Sequence, residues 1–324
     1  MVPARTLMPM LRTGALAALL LALAGCGDDR AAREAQARRE AEAQRAFAAE
    51  QQAWRAQRRA SLLKPDGWPS VIGLHWLEER AHYVGSDADN GIRIAMGPEH
   101  LGMIERKGGA IRFVPESGVP LTLNGEPLAG AVALATDADP AGPSVIGFDD
   151  GKGQALVIRR GDRYALRVKH ADAPARTGFG RLEYWPASRA WRIEGRFVPH
   201  PPGRTIPVVD ITGNTIAMKN PGAVEFERDG RRFRLEALDD GGGELFLIYA
   251  DRTNGHGSYG AGRYLYAPLP DARSRVVLDF NRGYNPPCAF TAFATCPLPP
   301  PENRLDLAIT AGERIYRAPS TPQH

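Results

Sequence analysis

The chain has 324 residues, 43% of them hydrophobic and 24% charged, which allows a packed core and excludes global disorder. Thirty-five glycines and 27 prolines argue against a helical bundle and for many short strands. The formal charge of +4 falls to about +2 if Arg5 and Arg12 are lost with a leader, too little to imply a nucleic-acid partner.

The first 25 residues read as a bacterial leader. Arg5 and Arg12 supply a positive start, and residues 14–25 are an uncharged apolar run. Twelve helical residues reach about 18 Å, short of the ~30 Å hydrocarbon core, so the run reads as a signal peptide and not a membrane span. It closes in Leu23-Ala24-Gly25-Cys26, which resembles the lipobox of bacterial lipoproteins. That resemblance implies lipidation of Cys26 and a periplasmic protein tethered to the membrane. Each buried methylene of the lipid adds ~0.8 kcal/mol, and more than one chain gives stable anchoring. Gly27 rather than Asp after the cysteine is similar to an outer-membrane address, favoured over the inner membrane.

Residues 26–63 read as a helical linker. Asp28 onward is almost all Ala, Arg, Glu and Gln, strong helix formers of mixed charge, with Arg30 and Glu34 at i,i+4. Phe47, Trp54, Leu62 and Leu63 give one thin apolar stripe near its end.

Pro65, Gly67 and Pro69 mark the start of the body. Over residues 64–162 short apolar runs recur at intervals of about ten residues, with Gly108-Gly109 and Asn124-Gly125 as turns. This predicts a small antiparallel β-sandwich. Gly85-Ser86-Asp87-Ala88-Asp89-Asn90-Gly91-Ile92, the segment at His100, and Leu123-Asn124-Gly125-Glu126 resemble a forkhead-associated domain. Ser86 stands where that family places its phosphate-binding Arg, and Glu99 precedes His100 where the family has Ser. The resemblance therefore implies the fold without phosphopeptide binding.

Residues 163–316 read as a second antiparallel β barrel or sandwich, and 317–324 as a tail. Tyr164-Ala165-Leu166-Arg167-Val168 alternates, Asp229-Gly230 joins two alternating runs, 245–249 reads as a buried strand, and Tyr264-Leu265-Tyr266, Val276-Val277-Leu278 and 305–309 complete the set. The fold class is mainly β, and no βαβ pattern is present.

Residues 259–304 are the richest in chemistry. Arg263, Arg282 and Arg304 are planar donors suited to a carboxylate or phosphate. Asp279 and Glu302 are possible partners, or a general base in a hydrolase-like alternative. Asn281, Asn285 and Asn303 can satisfy buried backbone groups, and Tyr284 completes the candidate pocket. His75, in Gly73-Leu74-His75-Trp76-Leu77, is a further candidate. Cys288 and Cys296 lack the spacing of a thioredoxin-like or zinc motif. In an oxidising periplasm they are expected to form a disulfide, the alternative being a reactive or metal-binding pair. No Gly-x-Ser-x-Gly, His-Glu-x-x-His or Walker pattern occurs, and no cofactor or metal is expected.

Asn285-Pro286-Pro287-Cys288 through Glu302-Asn303-Arg304, with 73–77 and 83–90, resemble the bacterial family catalogued as domain of unknown function 1684 over about residues 54–315. That resemblance implies no activity. The expected function is an anchored envelope module that binds a small molecule, a glycan or an envelope protein, and no nucleic acid.

Overall fold

The computed structural model describes Met1 and residues 14–319, with residues 14–29 as helical backbone only. Arg5 and Arg12 of the expected leader, the side chain of Cys26 and residues 320–324 of the expected tail lie outside this description. The chain divides into two compact units, Met1–Gln52 and Ala53–His324.

The first unit is most of a single helix, α1 (Gly14–Leu62). No Gly or Pro interrupts it between Asp28 and Leu62, and Arg30 Nε meets Glu34 Oε1 at 3.1 Å one turn on. Among the described residues no helix is long and apolar enough to cross a membrane. The helix ends before Pro65. The reversing chain comes so close that a Cβ on Gly67 would lie 2.1 Å from the Leu62 carbonyl oxygen, which leaves room there for glycine alone.

In the second unit, eleven strands come first: β1 (Val71–Trp76), β2 (Ala81–Gly85), β3 (Ile92–Arg93), β4 (Gly102–Lys107), β5 (Ala110–Pro115), β6 (Thr122–Leu123), β7 (Glu126–Pro127), β8 (Val132–Ala133), β9 (Val145–Phe148), β10 (Gly153–Arg160) and β11 (Arg163–His170). They form a six-stranded sheet, β1-β11-β10-β9-β6-β7, and a five-stranded sheet, β3-β2-β4-β5-β8. All pairings are antiparallel except β2 with β3. Ile104, Phe113, Ile146, Phe148, Val157 and Leu166 fill the space between the sheets. Asn124-Gly125 takes positive φ at both positions, as a two-residue hairpin requires.

The run 164–168, read from sequence as the opening of the second β unit, belongs to the first. β11 pairs with β10 along its whole length and with β1 on its other side. Its two flanking strands cover it completely, and that pairing is invisible to a reading based on spacing.

Seven more strands follow: β12 (Arg192–Pro199), β13 (Thr205–Val209), β14 (Thr215–Arg228), β15 (Arg231–Asp239), β16 (Leu245–Tyr249), β17 (Arg263–Ala267) and β18 (Arg275–Asp279). They form one sheet in the order β17-β16-β15-β14-β12-β18, with β13 on β14. The sheet curls into a half-barrel. Asp229-Gly230 makes the expected hairpin, pairing Glu227 with Arg232 and Phe226 with Phe233. Val224, Leu235, Leu247, Leu265, Leu278 and Phe280 pack one face. Ile206, Val208, Phe246, Ile248 and Tyr264 pack the other. Both faces of β16 are therefore covered, which is why its five residues are all apolar. Residues 305–309, expected as a strand, are irregular. They touch the 250–252 segment through Leu305 N–H to Ala250 O and Arg252 N–H to Leu307 O, without a ladder.

Candidate ligand pocket

The loop that follows β18 is ordered by its own polar side chains. Asp279 caps the single turn Phe280–Arg282, accepting from Asn281 N at 3.2 Å and Asn281 Nδ2 at 2.8 Å. Its other oxygen takes Arg192 Nε at 3.1 Å and Nη2 at 2.8 Å, with Arg282 Nε at 3.6 Å. Arg192 and Asp279 are direct register partners on β12 and β18, so the fork is presented by the sheet itself.

The three asparagines replace missing backbone partners. Asn281 brackets Ser188, accepting from its N–H and donating to its carbonyl, both at 2.9 Å. Asn285 receives Arg58 Nη2 on its carbonyl at 2.9 Å, donates its N–H to Glu313 Oε2 at 2.8 Å and donates Nδ2 to Arg314 O at 2.8 Å. Asn303 accepts from Glu236 N at 2.6 Å and donates to Glu236 O and Ile248 O, each at 2.9 Å. It closes the gap between β15 and β16 as a further strand would.

Arg263 is fully enclosed. Nη2 meets Asp251 Oδ2 at 2.6 Å and Ile309 O at 2.9 Å, while Nη1 reaches the carbonyl of Ala311. Glu302 and Arg304 are exposed, on and just after the turn Pro301–Asn303. His75 lies on β1 and takes no part in these hydrogen-bond networks. Burial holds its imidazole below the ordinary value, and Nε2 has no partner among the described residues. Cys288 and Cys296 are joined by a disulfide with Cα atoms 6.2 Å apart. Among the described residues no three His, Cys, Asp or Glu side chains are grouped to hold a metal. The structure thus brings Asp279, Asn281 and Arg282 together in one network and Tyr284 and Asn285 beside another. Arg263, Asn303, the Glu302–Arg304 pair and His75 stand apart. Of the two carboxylates named as possible general bases, Asp279 is held by Arg192 and Asn281 and Glu302 is exposed.

A cavity of about 400 Å³ does form next to this loop. Of the residues singled out from sequence it takes Tyr284 and Cys296. Tyr284 is brought there by a reciprocal pair of backbone hydrogen bonds with Tyr264, both at 2.9 Å, which adds it to the edge of β17. Phe246, Tyr264 and Tyr266 share the outer face of β16 and β17 by strand alternation. Phe246 lies edge-on to Tyr264 with centroids 5.0 Å apart and stacks on Tyr266 at 4.9 Å. Tyr264 Oη donates to Pro297 O at 2.7 Å, and Tyr266 Oη donates to Asp240. Burial pushes the phenols of Tyr264, Tyr266 and Tyr284 up, so all three remain neutral at ordinary pH.

A guanidinium cluster gathers on Thr295. Arg160, at the end of β10, meets Asp137 Oδ2 at 2.7 Å and donates Nε to Thr295 Oγ1 at 2.8 Å. Arg167, on β11, donates Nη2 to the same hydroxyl at 3.5 Å and lies over the Trp68 ring at 5.2 Å. Arg160, Thr295 and Trp68 line the cavity, and Arg167 lies behind the last two. Burial first, then the charge of Arg160, lowers the Arg167 guanidinium to about 10. On the third side Arg58 lies over the Tyr284 ring at 4.5 Å while its Nε holds buried Glu313 at 3.0 Å.

Most of this wall escaped sequence reasoning. Arg58 looked like one more charge on a solvated helix, and its partner Glu313 lies 255 residues away. Arg160 and Thr295 are 135 residues apart. The one local signal was Tyr264-Leu265-Tyr266, whose alternation places two phenols on one face.

Residues 177–314 match the family model described as "Protein of unknown function (DUF1684)". An uncharacterized protein of Haloarcula marismortui, solved by NMR in solution, is 33% identical, over 43% of this chain and 78% of that one, with a TM-score of 0.36. The chain belongs to the DUF1684 family. No curated protein matches it. The stretch shared with DUF1684 begins after the first sandwich and carries β12–β18, the disulfide and the aromatic wall of the cavity, while Arg58, Trp68, Arg160 and Arg167 come from outside it.

Proposed function

We propose that this DUF1684 member is a lipid-anchored periplasmic protein, tethered through Cys26 with the outer membrane favoured, that binds a small ligand in the cavity beside β17. The observation that carries the binding role is the cavity itself. Its volume lies within the range of small-molecule sites, and its lining of aromatic rings with a few convergent polar groups is their usual composition. It also lies where two β-rich parts of the second unit meet, a common location for such sites. The reading of a hydrolase with Asp279 or Glu302 as general base has less support. Arg192 and Asn281 occupy the Asp279 oxygens, and Glu302 is exposed outside the cavity.

The binding role is tested on full-length protein extracted in mild detergent and screened against a small-molecule library by thermal shift. Compounds that raise the melting temperature should lose their effect in Tyr266→Ala, whose side chain is partly exposed and removable without opening the core. A library without a hit that responds to this change overturns the binding role. For the anchor, Cys26→Ala should move the protein from the membrane pellet to the soluble fraction. Continued membrane retention would refute lipidation.

A further inference from the structure

Arg167 is 6% exposed and pairs with no carboxylate among the described residues. Its one side-chain hydrogen bond among the described residues is the long one to Thr295, its Nε has no partner among them, and the charge of Arg160 acts on it. A guanidinium stays charged when buried, so the site holds a positive charge without a paired carboxylate, offset only through space by Asp137, which Arg160 already engages. The other cations of the cavity are compensated, Arg160 by Asp137 and Arg58 by Glu313. Asp240, the one carboxylate in the lining, stands at the far wall on Tyr266. The cavity thus has a cationic end at Thr295, formed by Arg160 and Arg167, and an aromatic wall on which Arg58 is already neutralised by Glu313.

We infer that the Thr295 end of the cavity seats the anionic head of a small aromatic acid, with Arg160 as its direct partner, Arg167 supplying the charge behind it, and the wall of Tyr266 and Tyr284, whose rings stack at 6.3 Å, beside the ring. This rests on the proposed binding role and adds to it a ligand class. The chemistry favours both parts of such a molecule. Guanidinium groups match carboxylate and phosphate oxygens in geometry, and the anion would relieve the uncompensated charge. Neutral phenols do not repel it, and aromatic faces stack on a planar body.

The test measures binding of four probes to full-length protein in detergent by calorimetry: benzoate, phenyl phosphate, the neutral isostere benzamide, and acetate, which has the head without the ring. Benzoate or phenyl phosphate should bind at least about tenfold more tightly than benzamide and acetate, and the tighter of the two identifies the head group. Arg167→Met should weaken the aromatic anion by about tenfold or more, as expected for one charge lost a few ångströms from another at low effective dielectric. The same variant should keep or raise the melting temperature, because it removes a buried charge without a counter-ion. A merely structural Arg167 would lower the melting temperature and leave affinity unchanged. If Arg167→Met does not fold, Arg160→Gln, at a partly exposed position, carries the same comparison. Benzamide binding as well as benzoate, with both lost in Tyr266→Ala, overturns the anionic class and leaves the pocket standing. Failure of every aromatic probe to bind overturns the aromatic-acid class, while the library screen decides the binding role separately.

Discussion

Arg263 and Asp251 meet at 2.6 Å with neither side chain accessible to solvent. Asp251 also receives Thr253 N, Thr253 Oγ1 and Ile309 N on its other oxygen, so a single carboxylate fastens β17 to the segment after β16 and to the C-terminal coil. Breaking a buried pair from one side leaves the other charge stranded. Asp251→Asn should therefore destabilise the protein by about 3–5 kcal/mol in urea unfolding. A loss below about 1 kcal/mol would show that the guanidinium is held by its contacts to the carbonyls of Ile309, Ala311 and Glu313 alone.

Asn303 does the work of backbone. Without its side chain the Glu236 N–H and the carbonyls of Glu236 and Ile248 each lose a hydrogen-bond partner inside the half-barrel. Leaving buried backbone groups unsatisfied costs about 1–3 kcal/mol apiece, so Asn303→Ala should lower stability by about 3 kcal/mol. Hydrogen exchange at the Glu236 amide should rise in the same variant. Wild-type protection there would rule out the bridging role.

The Cys288–Cys296 bridge closes a short loop that supplies Thr295 to the cavity, with Pro287 and Pro297 lining it from either side of the bridge. Closing so small a ring stabilises by about 2–3 kcal/mol through the unfolded chain. A Cys288→Ala/Cys296→Ala protein should melt at lower temperature by a comparable free energy. It should also hold Thr295 less firmly against Arg160, since Cys288 N–H donates to Cys296 Sγ at 3.0 Å within the same loop. Unchanged melting would place the loop's order in its prolines instead.

Glu236 is the acid-sensitive point. Burial opposes its charge, but hydrogen bonds from His200 at 2.7 Å, Arg234 at 3.1 Å and Asn220 outweigh that effect and hold the carboxyl below its ordinary value of 4.5. The folded chain thus binds this proton less readily than the unfolded one. The stabilisation is complete above about pH 4.5 and is lost as the pH falls further. Glu236→Gln should lower stability at pH 7 and flatten the decline below pH 4.5. An acid limb identical to wild type would exclude Glu236 as its source.

The hairpins, the run of buried strand at 245–249 and the mainly β class were legible because turns and alternation are local signals. Asn281, Asn285 and Asn303 each donate to backbone carbonyls, a use that the residue type suggests before any partner is known. The placement of β11 was not legible, because a strand covered by β1 and β10 differs from any other alternating run only in its partners. The guanidinium cluster was hidden for the same reason. Arg58, Arg160 and Arg167 sit in three separate elements and meet Glu313 or Thr295 only after the chain has folded back over more than a hundred residues. Conversely, Arg263 and Asp279 looked like binding groups because composition shows a charged donor or acceptor without showing that the interior already holds its partner.

The pairing of β1 with β11 brings Val71 opposite Lys169, so the polypeptide enters and leaves the sandwich on adjacent strands. About a hundred residues therefore form an excursion that starts and finishes at nearly one spot, as a cassette spliced into a host would. A short turn joining those two ends would leave the path of the half-barrel uninterrupted, and it would remove Arg160 and Arg167 together.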